Sequence, residues 1–331
     1  MRYKITLKPL QPFLFGGDNT FGEIGDKENG TYIVNSRLFP QQSAILGMLK
    51  KELMIQNKLL TRKIKGEWVD KNKTEEAKEF VGSEKFDFNK KELQNFGVIK
   101  NISSIFLQKE NTIIIKKANL KKFPLEKIGD NYILKNFTAK DDIFDNYESL
   151  DKTLSFKVED IFVSKEQTLN QKKTSENSLY KKTSYLLNKG FTFGFFLECE
   201  YELNDSIVTL GADRSSFVLT VEKSNEILEN KNEFLLLLGD SLITLPLNEH
   251  CDFAITSEIS YKNLIGKKSS MTKNSDPKKN KQNNPFLKSD EIYFYEKGSV
   301  IINPSSQLID NLNNKNLQQI GYNTYTIGEN N

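Results

Sequence analysis

Ile45, Leu46, Leu49 and Leu53 recur at i, i+1, i+4 and i+8, a single apolar stripe that predicts a helix from about Gln41 to Leu60. Pro40 suits its first turn, where the missing N–H loses no bond. Gly47 inside it costs about 1 kcal/mol relative to alanine and implies that another backbone approaches there. Arg2 to Leu7 reads as a strand, so the chain opens strand, glycine-bearing loop, helix. Thr31–Val34 reads as a short edge strand, and Glu75–Val81 as a helix within a charged stretch running from Thr61 to Asn95.

Val98 to Phe106 and Thr112 to Lys116 form a predicted hairpin around Gln108–Asn111. Leu120 to Ser155 carries no period and reads as irregular. The stretches 160–164 and Phe191–Tyr201 are β-rich, and the polar, basic excursion between them, Lys165 to Tyr185, reads as a hairpin projecting from a sheet. Leu210–Phe217 is a small-residue turn returning as a strand over Phe217–Val221. Strand, helix, strand, projection, strand, turn, strand approximates a ferredoxin-like layout with its second helix shortened or lost. After Ser224, strands are expected at Phe234–Leu238, Ser241–Leu247, Asp252–Ser257, Glu291–Glu296 and Ser299–Ile302, with a helix at Gln307–Leu312 and a last strand around Asn323–Ile327. Lys262 to Gln282, with seven lysines and Asp276 as its single acid, reads as a mobile loop.

Length changes this picture by allowing two domains in 331 residues. Charge changes it little: 47 Lys plus Arg against 44 Asp plus Glu leave +3, so only local clusters point to nucleic acid. Cys199 and Cys251 supply neither a disulfide framework nor zinc spacing, which fits a reducing, cytoplasmic setting. The apolar run Phe234–Leu238 is far short of a membrane span, and no signal-peptide pattern opens the chain. His250 is the single histidine, which argues against histidine-rich metal sites and paired-histidine chemistry. It reads as a strand-edge residue, with a general base for RNA cleavage as its sharper alternative. Gly16-Gly17-Asp18 invites a metal-binding turn, but the preceding strand carries no second carboxylate, and a flexible loop accounts for it better. No catalytic residue, metal or cofactor is assigned.

Basic residues beside small-residue loops carry the binding expectation. Arg37, Gln41 and Gln42 stand at the start of the first helix, where unpaired N–H groups favour phosphate. Gly211, Asp213, Arg214 and Ser215 offer amides, a guanidinium and a hydroxyl to phosphate or ribose, or else form a plain connecting turn. Lys165, Gln171, Lys172, Lys173, Tyr180 and Lys181 in the excursion offer cations and a stacking ring to single-stranded RNA, or else a solvated loop.

Leu10-Gln-Pro-Phe-Leu-Phe-Gly-Gly17 followed by Phe39-Pro-Gln-Gln-Ser-Ala-Ile-Leu-Gly-Met-Leu49 resembles the opening of RAMP proteins of CRISPR systems. Phe162 to Asn170 with Ser178-Leu-Tyr180, then Leu210-Gly-Ala-Asp-Arg-Ser-Ser216 and Lys297-Gly-Ser-Val300, make the ordered set similar to the third subunit of type III-B Cmr effector complexes. The resemblance implies an α+β fold of two ferredoxin-like, RRM-related RAMP domains with long loop insertions. The first would span 1–223, with an insertion around 61–155 and a thumb-like hairpin around 165–185. The second would span 224–331, with the Lys-rich loop around 262–285. It further implies a non-catalytic subunit that binds the 5′ handle of CRISPR RNA. Its implied partners are the large polymerase/cyclase-like subunit and a RAMP backbone subunit. A RAMP endoribonuclease using His250, and a protein-only assembly factor, are the alternatives.

Overall fold

The computed structural model describes residues 1–16, 32–61, 63–64, 67–82, 85–90, 92–129, 131–170, 179–228, 234–261, 264–266, 286–288 and 291–327. The opening strand β1 (Arg2–Pro9) is followed by β2 (Tyr32–Asn35) and helix α1 (Gln42–Gln56). The apolar stripe is buried as expected, Ile45, Leu46, Leu49 and Leu53 all facing the core. The helix stops four residues before Leu60 because the Asn57 side chain donates to the Leu53 carbonyl at 2.9 Å and Lys58 turns the chain at φ 58°. Gly47 does not mark a close backbone: a Cβ built there meets nothing within 4 Å. It lies on the exposed side of the helix, so its cost is conformational only.

A minimal hairpin, β3 (Lys63–Ile64) and β4 (Glu67–Trp68), precedes α2 (Lys71–Val81). This helix begins four residues earlier than the apolar pattern indicates, since Asp70 caps it by accepting from the Lys73 amide at 3.0 Å. The strand expected over Val98–Phe106 is two strands, β5 (Ile99–Ile102) and β6 (Phe106–Lys109), the latter turning at Glu110 (φ 55°) into β7 (Thr112–Lys116). The stretch 120–155, read as irregular, holds a two-stranded hairpin, β8 (Leu125–Ile128) with β9 (Asn131–Leu134), and the short strands β10 (Tyr147–Ser149) and β11 (Ser155–Phe156). Elements of two to four residues are too short to carry a period.

A turn of helix, α3 (Val158–Ile161), leads into the long strands β12 (Phe162–Asn170), β13 (Leu179–Leu187) and β14 (Phe191–Cys199). Strands β15 (Ser206–Leu210) and β16 (Ser215–Lys223) close this half. The main sheet runs β11-β10-β7-β6-β14-β1-β16-β15, with β5 also paired to β14. Strand β1 lies between β14 and β16 and is antiparallel to both. The chain leaves β1, passes through α1, and re-enters the sheet beyond β14. Strand β14 is buried on both faces. Phe193, Phe195 and Leu197 enter the core that holds α1, while Phe196 joins Phe106, Ile113 and Ile115 in a second core. That two-sided burial explains its unbroken aromatic run.

Beyond Lys223 come β17 (Leu235–Leu237), α4 (Leu247–His250), β18 (Phe253–Ile255), β19 (Glu258–Tyr261), β20 (Leu264–Gly266), β21 (Phe286–Lys288), β22 (Ile292–Tyr295), β23 (Val300–Ile302), α5 (Ser306–Leu312), α6 (Lys315–Gln318) and β24 (Tyr325–Thr326). Strands β18, β23, β17 and β24 form a four-stranded sheet, and β19 with β22 a separate ribbon. The strand expected over Ser241–Leu247 is absent. Its amides are taken by side chains instead, Leu242 donating to Asn323 Oδ1 at 2.7 Å and Thr244 to Asn311 Oδ1 at 3.2 Å. Leu235, Leu237, Ile301, Leu308 and Leu312 make a small core of their own, whereas Tyr261, Phe294, Leu317 and Tyr322 belong to the large core around β1 and α1. Most of the Lys-rich stretch lies outside the described residues. Among the described residues no helix is long and apolar enough to cross a membrane.

Candidate nucleic-acid interface

Three segments lie side by side at one end of the central strands of the main sheet, where β1 ends and β14 and β16 begin. The first is the hairpin β12–β13, paired from Phe162↔Leu187 out to Asn170↔Leu179. Its root is fixed by Phe162, which is buried and meets Phe39 edge-on at 5.9 Å. The second is the stretch 10–15. Phe13 exchanges backbone hydrogen bonds with Tyr185 at 2.8 and 3.0 Å, and Phe15 accepts from the Arg37 amide at 3.1 Å. The third is the turn Gly211–Ser216, which grips the other side of the same stretch. There the Ala212 amide donates to Leu14, the Leu10 amide to Ser216, and Ser215 Oγ to the Pro12 carbonyl at 3.1 Å. Lys182 of β13 forms an ion pair with Asp213 of the turn, joining the first segment to the third.

Gly211 is required for this arrangement. Its φ is +89°, and a Cβ there would stand 2.5 Å from the Leu14 carbonyl oxygen. Gly211→Ala is expected to destabilise the protein by about 1–3 kcal/mol, read as a lower thermal midpoint. A midpoint equal to wild type would show that the turn does not clamp the stretch 10–15.

The structure separates the expected contact residues into three groups. Lys165, Lys181, Asp213 and Arg214 are exposed on this surface, Lys181 paired with Glu166 at 2.7 Å. Tyr180 lies on β13 beside Tyr32 of the parallel strand β2. Gln171, Lys172 and Lys173 lie outside the described residues, as do Gly17 and Asp18 of the glycine pair. Three residues take other roles. Ser215 is fully buried and spends its hydroxyl on Pro12. Gln42 is buried, its Nε2 donating to the Ser103 carbonyl at 2.9 Å. The turn at Gly321 (φ +90°) closes directly over it, since a Cβ on Gly321 would lie 1.9 Å from Gln42 Nε2. The start of α1 is therefore covered by the chain's own C-terminal segment, and only Gln41, its half-buried N-cap, stays near the surface. Arg37, the third, turns away toward the β19–β22 ribbon. Its guanidinium donates to the Ser260 carbonyl and lies 5.0 Å from the centre of the Tyr261 ring.

Following Arg37 leads to a cavity of about 240 Å³ between residues 36–39 and the C-terminal ribbon. Asp240 Oδ2 accepts from the Tyr261 hydroxyl at 2.6 Å, and Oδ1 accepts from the Lys297 amide at 3.1 Å. The Lys297 ammonium is buried, donates to the Ile105 carbonyl at 3.1 Å, and sits 4.2 Å above the Phe39 ring. Burial lowers its pKa, with Asp240 and Glu296 opposing that shift. Burial and the neighbouring Asp240 carboxylate hold the Tyr261 phenol well above its usual range. Sequence reasoning reached Lys297 only as part of a family motif and missed Asp240. The available signal was a charge placed two residues after each apolar run, Leu235–Leu238 then Asp240, and Ile292–Tyr295 then Lys297.

His250 is not at a strand edge. It ends α4, and its Nδ1 lies 3.1 Å from Ser305 Oγ, the hydroxyl that caps α5. Among the described residues no group of three His, Cys, Asp or Glu side chains is placed to hold a metal.

No family model and no curated protein matches the chain. Two solved structures align over nearly its whole length. A chain of the Type III-B Cmr-beta assembly bound to cognate target RNA aligns with a TM-score of 0.51 at 16% identity, covering 99% of this chain and 96% of that one. A chain of the same assembly bound to cognate target RNA and AMPPnP, state 1, gives 0.51 at 15% identity, covering 97% and 95%. This identity carries fold alone, and the RAMP resemblance read from the ordered motifs is borne out at that level. The chain has an α+β, largely antiparallel fold similar to that of these chains of the type III-B Cmr-beta assembly.

Proposed function

We propose that this chain is a non-catalytic, guide-RNA-binding subunit of a type III CRISPR effector complex. It holds the 5′ handle of the CRISPR RNA and bridges the large polymerase/cyclase-like subunit to a RAMP backbone subunit. In this reading the sheet order β16-β1-β14-β6 is a ferredoxin-like unit whose second helix is replaced by β15. The observation that supports the reading most is the rigid clamp of hairpin, stretch 10–15 and Gly211 turn. It presents Lys165, Lys181 and Arg214 outward beyond one end of the central strands. Cations on fixed elements can track a phosphate backbone without ordering a loop at the moment of binding. The handle and the two partner subunits are what the motif resemblance implies, and the fold likeness to chains of Cmr-beta assemblies supports membership of such a complex.

The test is RNA binding by the assembled complex, with and without the repeat-derived 5′ handle. Tighter binding of handle-bearing RNA is expected, and equal binding of both RNAs would overturn the assignment. Within that assay Arg214→Ala is expected to weaken binding about fivefold, equivalent to ~1 kcal/mol, and to reduce the salt slope by about one phosphate contact. Unchanged affinity with an unchanged melt would remove Arg214 from the interface.

A further inference from the structure

The cavity beside Arg37 is balanced in charge but not in hydrogen bonding. Of the residues lining it, Arg37 and Lys297 are cations and Asp240 and Glu296 are anions, so its chemistry favours a neutral ligand. Asp240 is taken by the Tyr261 hydroxyl and the Lys297 amide, and Arg37 is turned onto Ser260 and the Tyr261 ring. Two groups keep spare capacity. The Lys297 ammonium has three N–H donors, and among the described residues the Ile105 carbonyl is its one hydrogen-bond acceptor. Glu296 accepts from Lys116 on Oε1 at 2.6 Å, and among the described residues no donor reaches its Oε2. Polar groups short of partners in a buried site are costly, and a neutral group with an acceptor beside a donor would complete both. Leu38 and Ile259 give the space apolar walls, and its volume of about 240 Å³ exceeds the roughly 150 Å³ of a cavity that holds a benzene ring.

We propose that this cavity receives one nucleobase splayed out of the bound RNA, its acceptor on the Lys297 ammonium and its neighbouring N–H on Glu296 Oε2. Every base sets a donor beside an acceptor on its Watson–Crick edge, and single-stranded RNA is read by unstacked bases bonded on that edge. A flat, uncharged ring suits a charge-balanced space with apolar walls. A phosphate does not, because its charge would leave the sum uneven. A carboxamide side chain offers the same donor and acceptor but fills less of the volume. The wall formed by residues 36–39 is tied to the clamp, the Ser36 amide donating to the Thr183 carbonyl of β13 at 3.0 Å and the Arg37 amide to Phe15 at 3.1 Å. The inference rests on the RNA reading given above and extends it from the backbone of the strand to one of its bases.

The test treats the assembled complex, loaded with handle-bearing RNA, with dimethyl sulfate and a water-soluble carbodiimide. Between them these reagents modify the Watson–Crick nitrogens of unpaired adenine, cytosine, guanine and uracil. Ile259→Trp, which fills the cavity and leaves its charged residues in place, is the variant. One base of the bound RNA is expected to be protected in the wild-type complex and reactive in the variant. Replacing that nucleotide by an abasic one is expected to weaken wild-type binding about tenfold and to leave the variant's affinity unchanged. If Ile259→Trp does not assemble, Glu296→Gln, which puts an N–H donor where the open acceptor stands, serves with the same expectation. Preferential binding of handle-bearing RNA with no base protection that depends on these substitutions would overturn the inference and leave the RNA reading standing. Equal binding of RNA with and without the handle would overturn that reading, and the inference with it. Loss of a partner subunit from the Ile259→Trp complex, with base reactivities as in wild type, would assign the cavity to a protein side chain and overturn the inference as well.

Discussion

Phe193→Ala is expected to cost about 3–5 kcal/mol of unfolding free energy, the range for removing a buried phenyl ring from a core that cannot collapse around it. Phe193 is fully buried on β14, opposite Leu7 of β1 in the register. Its ring meets Phe13 at 5.4 Å, Phe15 at 5.8 Å and Phe39 at 5.8 Å, each edge-on. Those three rings come from the stretch 10–15 and the lead-in to α1, so the cavity would open beneath the hairpin clamp as well as in the sheet. Denaturant titration should therefore show a lower midpoint with little change in slope. Ile207→Ala on β15 is the comparison, since Ile207 is two-thirds exposed. Its effect should stay within roughly 0.5 kcal/mol. Equal losses in the two variants would show that the aromatic cluster is not the keystone of the fold.

The same cluster explains what the sequence made legible. Helix α1, the strands β1, β14 and β16, and the hairpin β12–β13 each carry enough residues for a period or an aromatic run to show. Their order along the chain then matched the motifs of the RAMP family. The stretch 120–155 was opaque for the opposite reason. Strands β8 to β11 hold two to four residues each, and their pairing depends on partners that local sequence does not reveal. The missing Ser241 strand shows a different limit. Asn323 and Asn311 take its amides from about 80 and 70 residues away, and single-sequence propensity has no access to such partners.

Side-chain direction was the least legible feature of the candidate site. Arg37, Gln42 and Ser215 were placed correctly beside polar turns, yet each is committed inward. Arg37 goes to Ser260 and Tyr261, Gln42 to Ser103, and Ser215 to Pro12. In each case the partner belongs to a distant segment that covers the turn. A polar residue at a loop reads as a ligand contact until that covering segment is known. Arg214, beside Ser215, is outward because its own φ of 53° turns it out of the strand, a torsion that sequence type alone does not specify.

Asp240→Ala is expected to cost about 1–3 kcal/mol, the loss associated with leaving a buried hydrogen-bond donor without its acceptor. The substitution strips the Tyr261 hydroxyl and the Lys297 amide of their acceptor and removes the carboxylate that most favours the charged form of the buried Lys297 amine. Asp240→Ala combined with Lys297→Met should recover part of that loss, because the orphaned charge is gone. A fully additive double variant would show that the two groups do not interact. The pH dependence provides a second check. Burial already lowers the Lys297 pKa from its ordinary 10.5, so over the window between the folded value and 10.5 the folded state binds fewer protons than the unfolded state. Stability then rises with pH through that window. Without Asp240 the amine is pushed lower still, the window widens toward neutrality, and the variant should regain stability more steeply on mild alkalinisation than wild type. The gain must be read below about pH 10, since ionisation of unfolded tyrosine sets in there. Tyr147, Tyr261 and Tyr322 have folded pKa values raised by burial, so their contribution is fully present below that pH and is lost above it. A variant whose stability is flat from neutral pH to that limit would show that Lys297 is not the charge Asp240 neutralises.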